Sequence, residues 1–119
     1  MIVEDDPEIR ESLAELLESW QLVPVAVDGG EAALRALREG GCRPAVILLD
    51  LKMSRLSGWE FRREQMHDVR LREVPVVIMT ALPIPTGSAR AEFGEVAWLR
   101  KPFSLDDLQA ALAAALKSP

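Results

Sequence analysis

Cysteine is almost missing from this chain. Cys42 stands alone, so no internal disulfide can form, and it reads as a small, inert side chain in a reducing compartment. Histidine also occurs once, as His67; a single imidazole with no patterned partner is not a metal site and reads as a surface residue on a helix. No apolar run approaches the ~20 residues of a membrane span, and no signal peptide is visible. Repeats and low-complexity stretches are absent too. Positive charge is the minority sign, with 14 Lys and Arg against 19 Asp and Glu. The resulting net charge of −5 disfavours direct binding to nucleic acid or to an anionic membrane, and a cytoplasmic location is expected.

What is present suffices for one domain over residues 1–119, with 49% hydrophobic and 28% charged residues. A chain of this length buries roughly two-thirds of its unfolded surface. The run Ala45-Val46-Ile47-Leu48-Leu49 ends in Asp50. A strand that apolar is covered on both faces, so its terminal carboxylate sits at a sheet edge beside water. Ile2-Val3 ends in Glu4-Asp5-Asp6, Val76 to Met79 ends in Thr80, and Val96 to Leu99 ends near Lys101-Pro102. Leu22 to Val27 reads as a further strand, at an edge because Pro24 cannot donate to a ladder.

Helical patterns alternate with these strands. Asp6-Pro7 caps a helix whose apolar stripe is Ile9, Leu13, Leu16, Leu17 and Trp20. A second carries Leu34 and Leu37 and stops at Gly40-Gly41; a third runs from Gly58 to about Asp68, with Phe61 in the core. Pro83 and Pro85 delay a short fourth helix to about Ser88–Phe93, which should be among the least stable parts, with Leu82 and Ile84 partly exposed before it. Ser104 and Asp107 form a capping box for a fifth, lined inside by Leu105, Leu108, Leu112 and Leu116. Strict βα alternation with short connections predicts an α/β, doubly wound, five-stranded parallel sheet of flavodoxin-like order 2-1-3-4-5. The chain opens almost directly on its first strand, which reads as a clipped start, and Lys117-Ser118-Pro119 reads as the beginning of a linker or tail.

In that order the topological switch point lies between strands one and three, where Glu4-Asp5 meets Asp50. Converging carboxylates repel, so the site calls for a cation. Hard oxygen ligands select Mg²⁺ or Mn²⁺. An ion held by two carboxylates with open positions is a phosphoryl-oxygen site. Lys101 adds a point charge and Thr80 a hydroxyl for the other phosphoryl oxygens, and Asp50 is the exposed carboxylate fit to accept the group as an acyl phosphate.

These pieces are Ile2-Val3-Glu4-Asp5-Asp6, Leu48-Leu49-Asp50-Leu51-Lys52-Met53, Gly58, Val76-Val77-Ile78-Met79-Thr80-Ala81 and Lys101-Pro102-Phe103. Together they resemble the receiver domain of two-component response regulators over essentially the whole chain. The resemblance implies that Asp50 accepts a phosphoryl group from a sensor histidine kinase or a histidine phosphotransfer protein. It implies Mg²⁺ bound directly by Asp5 and Asp50, through water by Glu4, and by the backbone carbonyl of Lys52. Thr80 and Trp98 would be the switch pair, and Lys101 would hold the phosphoryl group beside a cis Lys101-Pro102 bond. The result is a signalling switch rather than an enzyme, passing its state to an output domain or target protein that the sequence does not name.

Some residues depart from the family pattern. Ser54 stands where a proline is usual, and Lys52 is an unusual side chain two after Asp50, where phosphate lifetime is tuned. Lys52 could sit over the phosphoryl group or pair with Glu4. Arg62 and Gln65 occupy commonly apolar places on the third helix, while Arg62-Arg63 and Arg70/Arg72 otherwise read as a solvated face. Trp59 reads as partial packing at the mouth of the site. Two rivals remain. A degenerate receiver would act as a phosphorylation-independent interaction module, which the filled key positions oppose. A haloacid-dehalogenase-type phosphatase needs a second carboxylate where Lys52 stands.

Overall fold

In a computed structural model, residues 1–116 are described, so the reading of Lys117-Ser118-Pro119 lies outside the described residues. The elements run β1 (Ile2–Val3), α1 (Pro7–Ser19), β2 (Ala26–Val27), α2 (Gly30–Arg38), β3 (Ile47–Asp50), α3 (Gly58–Met66), β4 (Val76–Thr80), α4 (Gly87–Ala91), β5 (Ala97–Arg100) and α5 (Leu105–Leu116). The five strands form one parallel sheet in the order β2-β1-β3-β4-β5. Register places Ile2 opposite both Ala26 and Leu48, Leu48 opposite Val77, and Val77 opposite Ala97.

Strand side chains alternate between the two faces. One face sets Val3, Ile47, Leu49, Val76 and Ile78 against Ala33, Leu34 and Leu37 of α2, Phe61 of α3, and Phe93. The other sets Ile2, Leu48, Val77, Met79 and Leu99 against Leu13 and Leu17 of α1 and Leu108, Leu112 and Ala115 of α5. Both faces being covered explains why β3 and β4 are buried at every position.

Local signals set the helix starts. Asp6 accepts from the amides of Glu8 and Ile9, with Pro7 at the first helical position. Ser104 and Asp107 exchange backbone-to-side-chain hydrogen bonds at the start of α5. Ser57 and Glu60 make a second capping box ahead of α3, which the sequence reading had opened simply on Gly58. A Cβ at Gly58 would lie 2.6 Å from both the Asp50 carbonyl oxygen and the Leu51 Cα. Only glycine lets α3 start this close to the end of β3.

Several boundaries move. β2 is Ala26–Val27 rather than Leu22–Val27, because Pro24 withholds an amide and Val23 faces solvent. β3 begins at Ile47, not Ala45, and β5 is Ala97–Arg100, one residue later than the apolar run. α3 ends at Met66, and α4 occupies Gly87–Ala91. At helix ends the apolar stripes overreach: Ile9, Leu105 and Leu116 are exposed, and Trp20, just past α1, is half-buried. The inner line of α5 is Leu108, Leu112 and Ala115, its middle and last turns, where the sheet covers it.

Arg62 is a correction of another kind. It does not belong to a solvated face; it is 5% exposed, and Gln65 is fully buried. Arg62 Nε donates to the Phe93 carbonyl at 2.7 Å and Nη1 to Gln65 Oε1 at 2.7 Å. Gln65 Nε2 donates in turn to the carbonyls of Leu71 and Val74, each at 3.0 Å. The pair enters the interior because it bonds the carbonyls of Phe93, Leu71 and Val74, of which apolar side chains would leave those of Phe93 and Val74 unmet. Burial lowers the pKa of the Arg62 guanidinium. Arg63 and His67 do remain exposed.

Candidate functional site

The C-terminal ends of β1, β3 and β4 and the residue after β5 bring Glu4, Asp5, Asp50, Thr80 and Lys101 to one edge of the sheet. Glu4, Asp5 and Asp50 each offer a carboxylate oxygen within 4.8 Å of the other two. Asp50 is buried, not exposed as expected, because the sheet and the loops beside it close over the strand end; Glu4 is buried too and Asp5 is half-buried. Lys101 Nζ stands 3.5 Å from Asp50 Oδ1 and 3.9 Å from Glu4 Oε2. One ammonium thus pairs with two of the three carboxylates.

The imbalance shows in Glu4. Its Oε2 is buried without a hydrogen-bond partner. Burial, then contact with the Asp50 carboxylate, pushes the Glu4 carboxyl up to about 8 from an ordinary 4.5, with Lys101 pulling the other way. A buried carboxyl oxygen without a hydrogen bond is costly to ionise, and a hard cation is the group whose chemistry fits it. The all-oxygen donor set fits Mg²⁺ or Mn²⁺ and not a soft metal.

The flanking loops are tied to this edge. Ser54 N donates to Asp5 Oδ2 at 3.3 Å, a bond that a proline at this position could not make. Arg10 Nη1 donates to the Glu4 carbonyl at 2.9 Å, a contact the sequence reading missed. The Lys52 side chain is exposed, and the ion-pair partner of Glu4 is Lys101, not Lys52. Thr80 is buried; its hydroxyl accepts from Leu82 N at 3.0 Å and donates to the Leu82 carbonyl at 3.3 Å. The Thr80 carbonyl accepts from Lys101 N at 2.7 Å, and the Lys101-Pro102 peptide is cis.

Thr80 and Trp98 share the α2/α3 face of the sheet, by alternation along β4 and β5 in their paired register. Trp98 is half-buried, edge-on to Phe93, with the Arg90 guanidinium 6.0 Å from its ring centroid. Trp59 is partly packed, as expected. It packs on Phe93, over a cleft shared with Arg63, Met66 and His67.

A parallel sheet of this order with an acidic pocket at its switch point defines a flavodoxin-like receiver fold of the chemotaxis-regulator kind. Residues 1–113 match the model of the response regulator receiver domain, and the chain belongs to that family. The transcriptional regulatory protein PdtaR of Mycobacterium tuberculosis is 35% identical over 119 residues, covering 98% of this chain and 55% of that protein. The phosphate regulon transcriptional regulatory protein PhoB of Escherichia coli is 31% identical over 118 residues, covering 98% and 51%. The chain spans about half the length of these curated relatives. The signal receiver domain of a signal transduction histidine kinase from Syntrophus aciditrophicus matches with a TM-score of 0.85 at 30% identity, over 97% of this chain and 86% of that one. The Vibrio cholerae chemotaxis protein CheY4 matches in fold, with a TM-score of 0.84 at 24% identity, over 97% and 95%.

Receiver domains are signalling components of two-component systems rather than conventional enzymes; they generally bind Mg²⁺ at an acidic pocket and interact with histidine kinases and output domains. No helix among the described residues is long and apolar enough to cross a membrane.

Proposed function

We propose that this domain is a phosphorylation-activated switch in which Asp50 accepts a phosphoryl group from a sensor histidine kinase or a histidine phosphotransfer protein in the cytoplasm. The observation that carries this reading is the buried Oε2 of Glu4, without a hydrogen bond and with only the Lys101 ammonium at 3.9 Å, beside Asp50 in a three-carboxylate cluster. Asp5 and Asp50 would hold Mg²⁺ directly, Glu4 through water, and Lys52 through its backbone carbonyl. When bound, Mg²⁺ supplies Lewis-acid neutralisation of phosphoryl charge.

The Asp50 carboxylate oxygen attacks phosphorus, the phosphorus–nitrogen bond to the donor imidazole breaks, and its electron pair leaves with that nitrogen. Lys101, already 3.5 Å from Asp50, steadies a phosphoryl oxygen through its ammonium. The Thr80 hydroxyl, now turned to the Leu82 backbone, exchanges that bond for another phosphoryl oxygen. Trp98, on the same face, follows into the space Thr80 leaves, and the change reaches an output domain or target protein.

Incubation with acetyl phosphate and Mg²⁺ tests the proposal. Intact mass should rise by one phosphoryl group, and hydroxylamine should remove it. Asp50→Asn should gain nothing; an undiminished gain in that variant would refute the assignment.

A further inference from the structure

Phe93 sits between two tryptophans. Its ring meets Trp98 edge-on, with centroids 5.0 Å apart and planes at 80°. On another side it meets Trp59, at 4.4 Å and 50°. Phe93 is 2% exposed, whereas Trp59 is 37% exposed, on α3. The Phe93 backbone has little freedom to yield, because its carbonyl is bound to Arg62 Nε, and Gln65 holds Arg62 in turn. Packed interiors transmit displacement because they lack free volume. A shift of Trp98 changes its edge-on contact with the Phe93 ring, and the ring can pass that change to Trp59, which it also touches.

We propose that Phe93 relays the state of Trp98 to Trp59, so that the exposed face of α3 reports the occupancy of Asp50. The inference rests on the reading of Trp98 as the aromatic that follows Thr80. Trp59, Met66 and Phe93 line a cleft of about 260 Å³ rimmed by Arg63, His67 and Glu92. A turn of Phe93 reshapes that cleft. The α3 face thereby becomes a surface responsive to phosphorylation.

The chain has three tryptophans, and the third, Trp20, packs on the opposite face of the sheet. Protein labelled with 5-fluorotryptophan therefore gives one fluorine resonance for each position and an internal reference. With acetyl phosphate and Mg²⁺, compared with Mg²⁺ alone, the Trp98 and Trp59 resonances should both move by more than a linewidth while Trp20 stays. In Phe93→Leu, Trp98 should still move and Trp59 should not. Should that variant fail to fold, Phe93→Met, which keeps an unbranched apolar chain there, carries the same expectation. A stationary Trp59 or Trp98 in phosphorylated wild type overturns the relay and leaves Asp50 phosphorylation standing. So does a Trp59 shift that persists without the ring. No phosphoryl gain by mass would overturn the switch itself, and the relay with it.

Discussion

Glu4 Oε2, buried and unbonded, makes a direct demand on its surroundings. If Mg²⁺ answers it with a millimolar dissociation constant, 10 mM of the ion should stabilise the fold by about 1.4 kcal/mol through mass action. Asp5→Asn, which removes a proposed direct ligand, should abolish most of that gain; Glu4→Gln, acting through water, should lose less. Melting curves with and without Mg²⁺ decide this, and equal losses would contradict the inner and outer assignment. Gln65 offers a separate test. Leucine there restores the apolar residue common in the family, yet it would strip partners from Arg62 Nη1 and from the carbonyls of Leu71 and Val74. Gln65→Leu should therefore cost about 1–3 kcal/mol in denaturant unfolding. No loss would mean that water replaces the amide. The sequence marked Arg62 and Gln65 as unusual but could not show their burial, because it rests on carbonyls of irregular segments, Leu71 and Val74 for Gln65 and the distant Phe93 for Arg62, that no periodicity announces.

Elements were legible where their signals are local. Asp6-Pro7 and Ser104 with Asp107 cap helices as read, and Pro83 with Pro85 confine α4 to Gly87–Ala91. Ends were less legible, since coverage by a neighbour and not hydrophobicity decides where a stripe stops; Ile9, Leu105 and Leu116 lie beyond that coverage. α2 and α3 are joined by a contact that no pattern announced. Arg38 of α2 donates to Asp68 Oδ2 at 3.2 Å and to Glu64 Oε1 at 3.4 Å, and Arg70 donates to both oxygens of Asp68. The Arg70 hydrogen bonds, aided by Arg38, hold the Asp68 carboxyl down at about 2, from an ordinary 3.8. A carboxyl depressed in the folded state stabilises above its unfolded value and loses that contribution as pH falls through the folded one. The clasp should thus be complete above about pH 4 and fade toward pH 2. Asp68→Asn should melt lower at pH 7 and show a flatter decline across that window. Parallel pH profiles for the two proteins would show that the clasp contributes nothing.

At the scale of the whole molecule, Pro24 marked an edge strand, and this with right-handed crossovers led to the order 2-1-3-4-5, which the sheet has. That order brings Glu4, Asp5 and Asp50 together at the switch point, with Lys101 beside them. It did not reveal that Lys101 rather than Lys52 would pair with Glu4 and Asp50, because side-chain direction in a loop follows from packing and not from spacing. The fold therefore crowds three carboxyl groups round one ammonium at this edge, and in the absence of a divalent ion the crowding that raises the Glu4 carboxyl acts against folding. Asp50→Asn should relieve it. With the Asp50 charge gone, the push that raises the Glu4 carboxyl weakens, Glu4 ionises more readily, and it pairs with the Lys101 ammonium 3.9 Å away. In EDTA the variant should be more stable than wild type by about 1 kcal/mol, or roughly 4 °C in melting temperature for a domain of this size. Mg²⁺ should narrow or reverse the difference, because wild type keeps the full set of proposed ligands. Thermal melts of both proteins in EDTA and in Mg²⁺ make the comparison, and an Asp50→Asn variant that melts lower in EDTA would show that the lysine ion pairs already outweigh the repulsion.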